Sequence, residues 1–276
     1  MLASFFLSLR EGLEAALIIG VLLGTINKLN RPQNKPAIWY GTGAAMLVSI
    51  AVGVILNLLG ASFEGRAEEI FEGITMLLAA SLLTWMILWM RTQARQMSKK
   101  LESDVQAAVH SQNSTALFSL AFLAVIREGV ELAFFLTAAS ISSTGTAILS
   151  GAALGLGSVI ILAILLFNSL IRLDIAKFFQ VTSVILIIFA AGLVAHGVHE
   201  FNEAGIIPPV IEHVWDINHL LDENSTGGEL LKALAGYNGN PSLTEVIAYL
   251  VYFTALGLSN KRLFARNKKT SAQQVR

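Results

Sequence analysis

Long apolar runs separated by short polar stretches dominate the chain from its first residues. Seven of them reach the roughly 20 residues that a helix needs to cross a bilayer. They fall at 3–23, 37–59, 70–90, 117–140, 148–171, 175–200 and 246–263. Their unbroken apolarity predicts helices, because the strands of a membrane barrel would alternate lipid-facing and lumen-facing positions. The pattern is that of an all-α integral membrane protein with seven transmembrane helices.

Two connections carry patterns of their own. Between 91 and 115, Met97, Leu101, Val105 and Val109 recur at helical spacing among charges, which predicts a cytoplasmic connecting helix at the membrane surface. In the extracytoplasmic loop 201–243, Val210, Val214, Ile217 and Leu221 predict a short amphipathic helix. His213, Asp216 and His219 share that spacing and are expected to be surface polar residues. Asn224-Ser225-Thr226 fits a glycosylation sequon on the side expected to be outside. Ser242-x-x-Glu245, just after Pro241, has the form of a capping box and marks the start of the seventh helix.

Composition narrows the class. With 54% hydrophobic and 14% charged residues, an ordinary soluble domain is excluded. The formal net charge is zero, so no bulk field points to nucleic acid. There is no cysteine, so any metal must be held by oxygen or imidazole ligands. The first apolar run lacks a basic lead and contains charges, and is expected to be a permanent span rather than a cleaved signal.

Basic residues orient the bundle. Lys28, Arg31 and Lys35 follow the first span, Arg91, Arg95, Lys99 and Lys100 the third, Arg172 and Lys177 the fifth, and six more lie from Lys261 onward. The opposite loops hold only Arg66 and Lys232. By the positive-inside rule the N-terminus is outside and the C-terminus inside.

Against this background one charged motif occurs twice. Arg10-Glu11-Gly12-Leu13-Glu14 in the first run returns 117 residues later as Arg127-Glu128-Gly129-Val130-Glu131 in the fourth. At that offset Phe5 also matches Phe122, and Ala16 matches Ala133. An ionised residue at the centre of a spanning helix costs about 2.5–3.5 kcal/mol, so six would cost on the order of 15 kcal/mol if nothing paired or hydrated them. At 100° per residue the three charges of each copy share one face, with the second glutamate between the arginine and the first. Arg10–Glu14 and Arg127–Glu131, four apart, suit intrahelical ion pairs, leaving Glu11 and Glu128 as the freer carboxylates. Gly12 and Gly129 suit close helix packing, as do Gly151, Gly155 and Gly157 in the fifth run.

With the orientation above, the two motif helices run in opposite directions. Residues 1–90 and 116–200 then form a 3+3 inverted repeat, a plan that sets transport sites near the midplane. The helix at 244–264 and a cytoplasmic tail at 265–276 are additions to it. A purely structural role for the motifs would need one glutamate per arginine. Four carboxylates and two arginines leave a formal charge of −2, which calls for a cation. Carboxylates favour hard or borderline ions, and that preference by itself does not select a metal.

Further acids lie at the outer ends of two spans. Glu64, Glu68, Glu69 and Glu72 sit at the mouth of the third, and His196, His199, Glu200 and Glu203 at the end of the sixth. Together they would make a vestibule that concentrates cations. Glu69 and Glu72, three apart on one face, are taken as further metal ligands, with Glu68, His196, His199 and Glu200 as admitting groups. Glu64 and Glu203 read as solvated helix ends.

The doubled Arg-Glu-Gly-(Leu/Val)-Glu resembles the signature of the oxidase-dependent iron permeases, nearest to their bacterial Efe-type ferrous branch. The resemblance extends through Glu68-Glu69-Ile70-Phe71-Glu72-Gly73, Leu83-Thr84-Trp85-Met86, Ala190-Ala191-Gly192-Leu193, Gly236-Tyr237, Pro241-Ser242 and Glu245, and so covers nearly the whole chain. It implies a multi-pass protein of the plasma membrane, the inner membrane in a bacterium. That protein would be a permease rather than an enzyme, carrying Fe²⁺ or Fe³⁺ inward as substrate without a permanent cofactor. Glu11, Glu14, Glu128 and Glu131 would hold the ion, and Arg10 and Arg127 would support them. It also implies membrane lipid and an iron-oxidising or iron-binding partner protein on the outer side, with no nucleic acid; the oligomeric state stays open. A membrane-embedded metal hydrolase or hydroxylase with His196, His199 and Glu200 as ligands is the alternative, and it gives the doubled motif no task. A seven-helix receptor would need neither symmetrical charges nor an inverted repeat.

Overall fold

The computed structural model describes residues 1–141, 143–167, 174–223 and 225–273, without the side chains at 91–98, 226, 229, 230, 233 and 260–273. Helices follow one another as α1 (Leu2–Lys28), α2 (Lys35–Gly60), α3 (Arg66–His110), α4 (Ser114–Ile141), α5 (Gly145–Phe167), α6 (Ile175–Glu203), α7 (Thr226–Ala235) and α8 (Leu243–Gln273). Among the described residues there is no strand. Segments 32–60, 66–90, 145–167 and 175–203 are long and apolar enough to cross a membrane. α1 and α4 match them in length but each carries three ionisable residues mid-helix. The apolar part of α8 is the shorter stretch Leu243–Ser259. The expected fifth span runs on to 171, and its last residues, like Arg172 and Asn224, lie outside the described residues.

Two compact units make up the chain, one from residues 1–64 and 89–186, the other from 65–88 and 187–276. In the first, α1 packs on α5, α4 packs on α2, and α1 meets α4. The contact faces are small or weakly polar while the bulk points outward. α2 buries Ile38, Gly41, Thr42, Ala45 and Ser49, and exposes Leu47, Ile50, Val54, Ile55 and Leu58. α5 buries Gly151, Ala152 and Gly155, and exposes Leu149, Leu154, Ile160 and Ile164. That inversion of the soluble rule is what lipid as solvent selects, since close backbone approach holds such helices together. A Cβ on Gly12 would stand 2.9 Å from Val159 Cγ2 of α5, and one on Gly129 would strike Ser49 of α2. Each motif glycine is therefore the point where its helix is crossed, as expected. Gly151 and Gly155 are crossed in the same way by α1, whereas Gly157 faces open space.

Residues 91–110 are helical as predicted, but they continue α3 without a break. Val105, Ala108 and Val109 pack with Leu22, Ile26, Ile38, Leu117 and Ala121, and Leu101 packs against them, so protein covers these positions of the expected stripe, while the Met97 side chain lies outside the described residues. α4 starts where the Asn113 side chain accepts from the Ala116 N–H at 3.0 Å.

In the second unit, the first part of α3 crosses the last part of α6 at Gly73 and Gly197. The Ser242–Glu245 capping box forms as predicted: Ser242 N–H donates to Glu245 Oε1 at 3.0 Å, and Glu245 N–H donates to Ser242 Oγ at 3.3 Å. α7 is capped by Ser225 and ends at Gly236, whose φ of 67° suits glycine. Gly236 lies against Gly192, where neither could carry a Cβ without striking the other's backbone. Two of the family-like segments thus meet for a steric reason.

The amphipathic helix expected over 210–221 is absent. Val210 has a φ of 63°, outside the right-handed helical region. The donors that a helix would use internally go elsewhere: Val214 N–H to Pro241 O at 3.0 Å and Ile217 N–H to Gly239 O at 2.9 Å. A tertiary partner outweighs the periodicity. The helix in this loop is α7, sixteen residues beyond Val210.

Candidate metal centre

Both motifs lie inside helices already one turn or more from their ends, so their backbone groups are satisfied and only side chains can answer the charges. In each copy the carboxylate four residues on is the nearer to the arginine. Arg10 Nη2 stands 3.3 Å from Glu14 Oε1, and its Nη1 is 3.7 Å from Glu11 Oε1. Arg127 Nε donates to Glu131 Oε1 at 2.9 Å and is 4.0 Å from Glu128 Oε1. This is the ordering that helical spacing predicts.

Packing of α1 on α4 then joins the two copies. Carboxylate oxygens of Glu11, Glu128 and Glu131 lie within 4.8 Å of one another, and the three residues are 1%, 3% and 7% exposed. Cation–oxygen bonds run to about 2.0–2.6 Å, so a span of roughly 4–5 Å suits oxygens on opposite sides of one ion. Both oxygens of Glu11, one each of Glu128 and Glu131, and Glu14 Oε1 are buried with no hydrogen-bond partner. Buried acceptors are ordinarily satisfied. A convergent set left short of donors has the chemistry of a cation site. Glu14 is not one of the three converging groups; it stays with Arg10, its side chain 11% exposed.

The arginines have partners that the motif spacing does not announce. Arg10, fully buried, donates from Nη2 to Met90 Sδ at 3.1 Å. Arg127 Cζ lies 4.9 Å from the centroid of the Trp89 ring. Trp89 and Met90 close the third apolar run, and the signal available in sequence was only that polarisable side chains stand there.

Of the residues expected at a vestibule, Glu68, Glu69, Glu72, His196, His199, Glu200 and Glu203 belong to the second unit and lie on α3 and α6, while Glu64 ends the first stretch of the other unit. The charges of Glu69, Glu72 and Glu203 act on Glu200 across this group. Glu68 and Glu64 are exposed. His199 is engaged on both sides, with Nδ1 3.1 Å from Glu245 Oε1 and Nε2 3.3 Å from Glu203 Oε1. Glu245, 4% exposed, also accepts from Asn238 Nδ2 at 2.9 Å. His196 Nδ1 lies 3.2 Å from its own helix's Gly192 carbonyl. His199 is thus engaged at both ring nitrogens and His196 at Nδ1 alone, and among the described residues His196, His199 and Glu200 do not converge as a set of ligand atoms, so the hydrolase constellation gains no geometric support. His213, Asp216 and His219 are exposed. Among the described residues, Glu11, Glu128 and Glu131 are the one set of three ligand atoms brought together.

The profile of the Iron permease FTR1 family matches residues 1–261. Proteins named ferrous iron permease EfeU from Escherichia coli O6:K15:H31 (strain 536) and Shigella sonnei (strain Ss046) are each 35% identical over 254 residues. Those alignments cover 91% of this chain and 92% of the relative. The Yersinia pestis protein of the same name is 34% identical over 254 residues, covering 91% of this chain and 90% of the relative. No solved structure matches.

Proposed function

We infer that this chain, which belongs to the Iron permease FTR1 family and is thus a membrane transporter rather than an enzyme, moves iron inward through the carboxylate centre of α1 and α4. The carrying observation is the convergence of Glu11, Glu128 and Glu131, buried and short of hydrogen-bond donors. Those three oxygens take the ion after it sheds water, and Glu14 joins as Arg10 yields it. Arg10 and Arg127 keep the empty centre tolerable and aim the carboxylates. The relatives' names point to Fe²⁺ as the cargo. For a divalent ion, the membrane potential contributes about 4.6 kcal/mol per 100 mV, twice the single-charge value.

The architecture we propose has seven spans with the N-terminus outside, as a 3+3 inverted repeat followed by α8. The cross-pairing of α1 with α5 and α4 with α2 supports it, because each motif helix packs on the second helix of the other repeat. Glu68, Glu69, Glu72 and Glu200 collect the cation at the outer surface, with Glu69 and Glu72 as ligands, and His196 and His199 help hold that region together. An outer iron-binding or iron-oxidising protein delivers the ion in the plasma membrane. The deciding measurement is uptake of radiolabelled iron into proteoliposomes at controlled redox state and pH. Saturable uptake by the wild type and none by Glu11→Gln supports the reading; equal uptake by both overturns the site.

A further inference from the structure

Arg10 and Arg127 are on different helices, yet among the described residues a hydrogen bond of the one and a ring contact of the other go to two consecutive residues of α3. Met90 Sδ accepts from Arg10 Nη2 at 3.1 Å, and the Trp89 ring lies 4.9 Å from Arg127 Cζ. Consecutive residues point about 100° apart around a helix, so one step of α3 can address two neighbours at once. Met90 supplies the one hydrogen bond Arg10 makes among the described residues, since its Nε and Nη1 are buried without partners.

The chemistry of the two contacts is alike. A thioether is a weak, neutral acceptor, and an indole face attracts a cation through its quadrupole without carrying charge. Both locate a guanidinium without neutralising it. A carboxylate in either place would take the arginine from its glutamates. A bound cation, conversely, draws the glutamate oxygens toward itself and weakens their hold on the arginines. A guanidinium so released inside an apolar bundle needs a place to stand.

We propose that Trp89 and Met90 are positioning residues of the carboxylate centre. Together they form a neutral seat on α3 that holds Arg127 and Arg10 in place while the glutamates exchange the arginines for the metal. The inference rests on the transport reading above and adds to it residues outside both motifs. Loss of the seat lets the arginines follow their carboxylates, so the metal competes less well. Affinity for iron should fall more than the maximal rate.

The test uses the full chain in proteoliposomes, with Fe²⁺ under reducing conditions, and Fe²⁺ binding to the purified protein in detergent as a second readout. Met90→Leu keeps the volume and removes the acceptor, and Trp89→Leu removes the indole face. Each should raise the half-saturating Fe²⁺ concentration about fivefold or more with the maximal rate within twofold, while Trp89→Phe, which retains a ring face, stays within twofold of wild type in both. Because Trp89 acts through Arg127, adding Trp89→Leu to Arg127→Lys should cost little further affinity. If Trp89→Leu does not fold, Met90→Leu alone and combined with Arg10→Lys carries the same comparison, because Met90 acts through Arg10. Unchanged half-saturation in Met90→Leu and Trp89→Leu, or fully additive losses with Arg127→Lys, overturns the proposal. Failure of the wild type itself to bind and take up Fe²⁺ would instead overturn the transport reading.

Discussion

Gly73 on α3 and Gly197 on α6 press backbone to backbone: a Cβ on Gly73 would lie 3.0 Å from the Gly197 carbonyl oxygen, and one on Gly197 would lie 3.1 Å from that of Gly73. The contact is reciprocal. It brings Glu72 and the Glu200 turn of α6 into the same neighbourhood, and neither partner is a flexible side chain able to give way.

Alanine at either glycine should therefore lower the thermal midpoint in detergent, with a loss of about 1–3 kcal/mol typical of overpacking. Gly24→Ala is the control, because no atom lies within 4 Å of its added Cβ and alanine is the better helix former. Equal midpoints for Gly73→Ala and wild type would show that the crossing can relax.

Glu11→Gln and Glu128→Gln should each abolish iron uptake without loss of thermal stability. Each removes a buried charge that has oxygens without hydrogen-bond donors, so the fold is relieved while the cation loses a ligand. Uptake and melting are measured on the same preparations. Near-normal uptake with both residues replaced would remove the proposed centre.

Lysine should fail at Arg10 nearly as badly as alanine, although the charge is kept. Arg10 reaches Glu14, Glu11 and Met90 from two nitrogens of one planar group, which a single ammonium cannot reproduce. The expected loss in iron affinity is on the order of 10–100-fold, as for other groups that orient metal ligands. Titrating uptake against iron for Lys and Ala variants matched in expression checks it; wild-type behaviour of Arg10→Lys would show that only charge matters there.

Glu245→Ala should destabilise the second unit by roughly 1–3 kcal/mol, since it strands the Ser242 N–H and the Asn238 amide and frees His199. Limited proteolysis of the 204–242 segment should quicken in step with a lower melting midpoint. Intact resistance would mean the capping box is dispensable.

Reporters fused beside Met1 and after Arg276 should read opposite sides of the membrane, outside and inside. The same side for both would end the seven-span plan and the inverted repeat with it.

The sequence by itself determined the helices of the spans, the doubled motif and its internal pairing, because all three follow from local periodicity and four-residue spacing. Arg10–Glu14 and Arg127–Glu131 needed no knowledge of any other helix. The capping box at Ser242 was legible for the same reason. Tertiary structure alone decided that Glu11, Glu128 and Glu131 converge while Glu14 stays apart, since that depends on how α1 meets α4 across more than a hundred residues. It also decided that Arg10 meets Met90 and Arg127 meets Trp89, and that Glu245 engages His199. At 210–221 it overruled the pattern, because apolar spacing registers only that side chains share a face. Whether that face becomes a helix depends on where the backbone donors go, and those of Val214 and Ile217 go to Pro241 and Gly239.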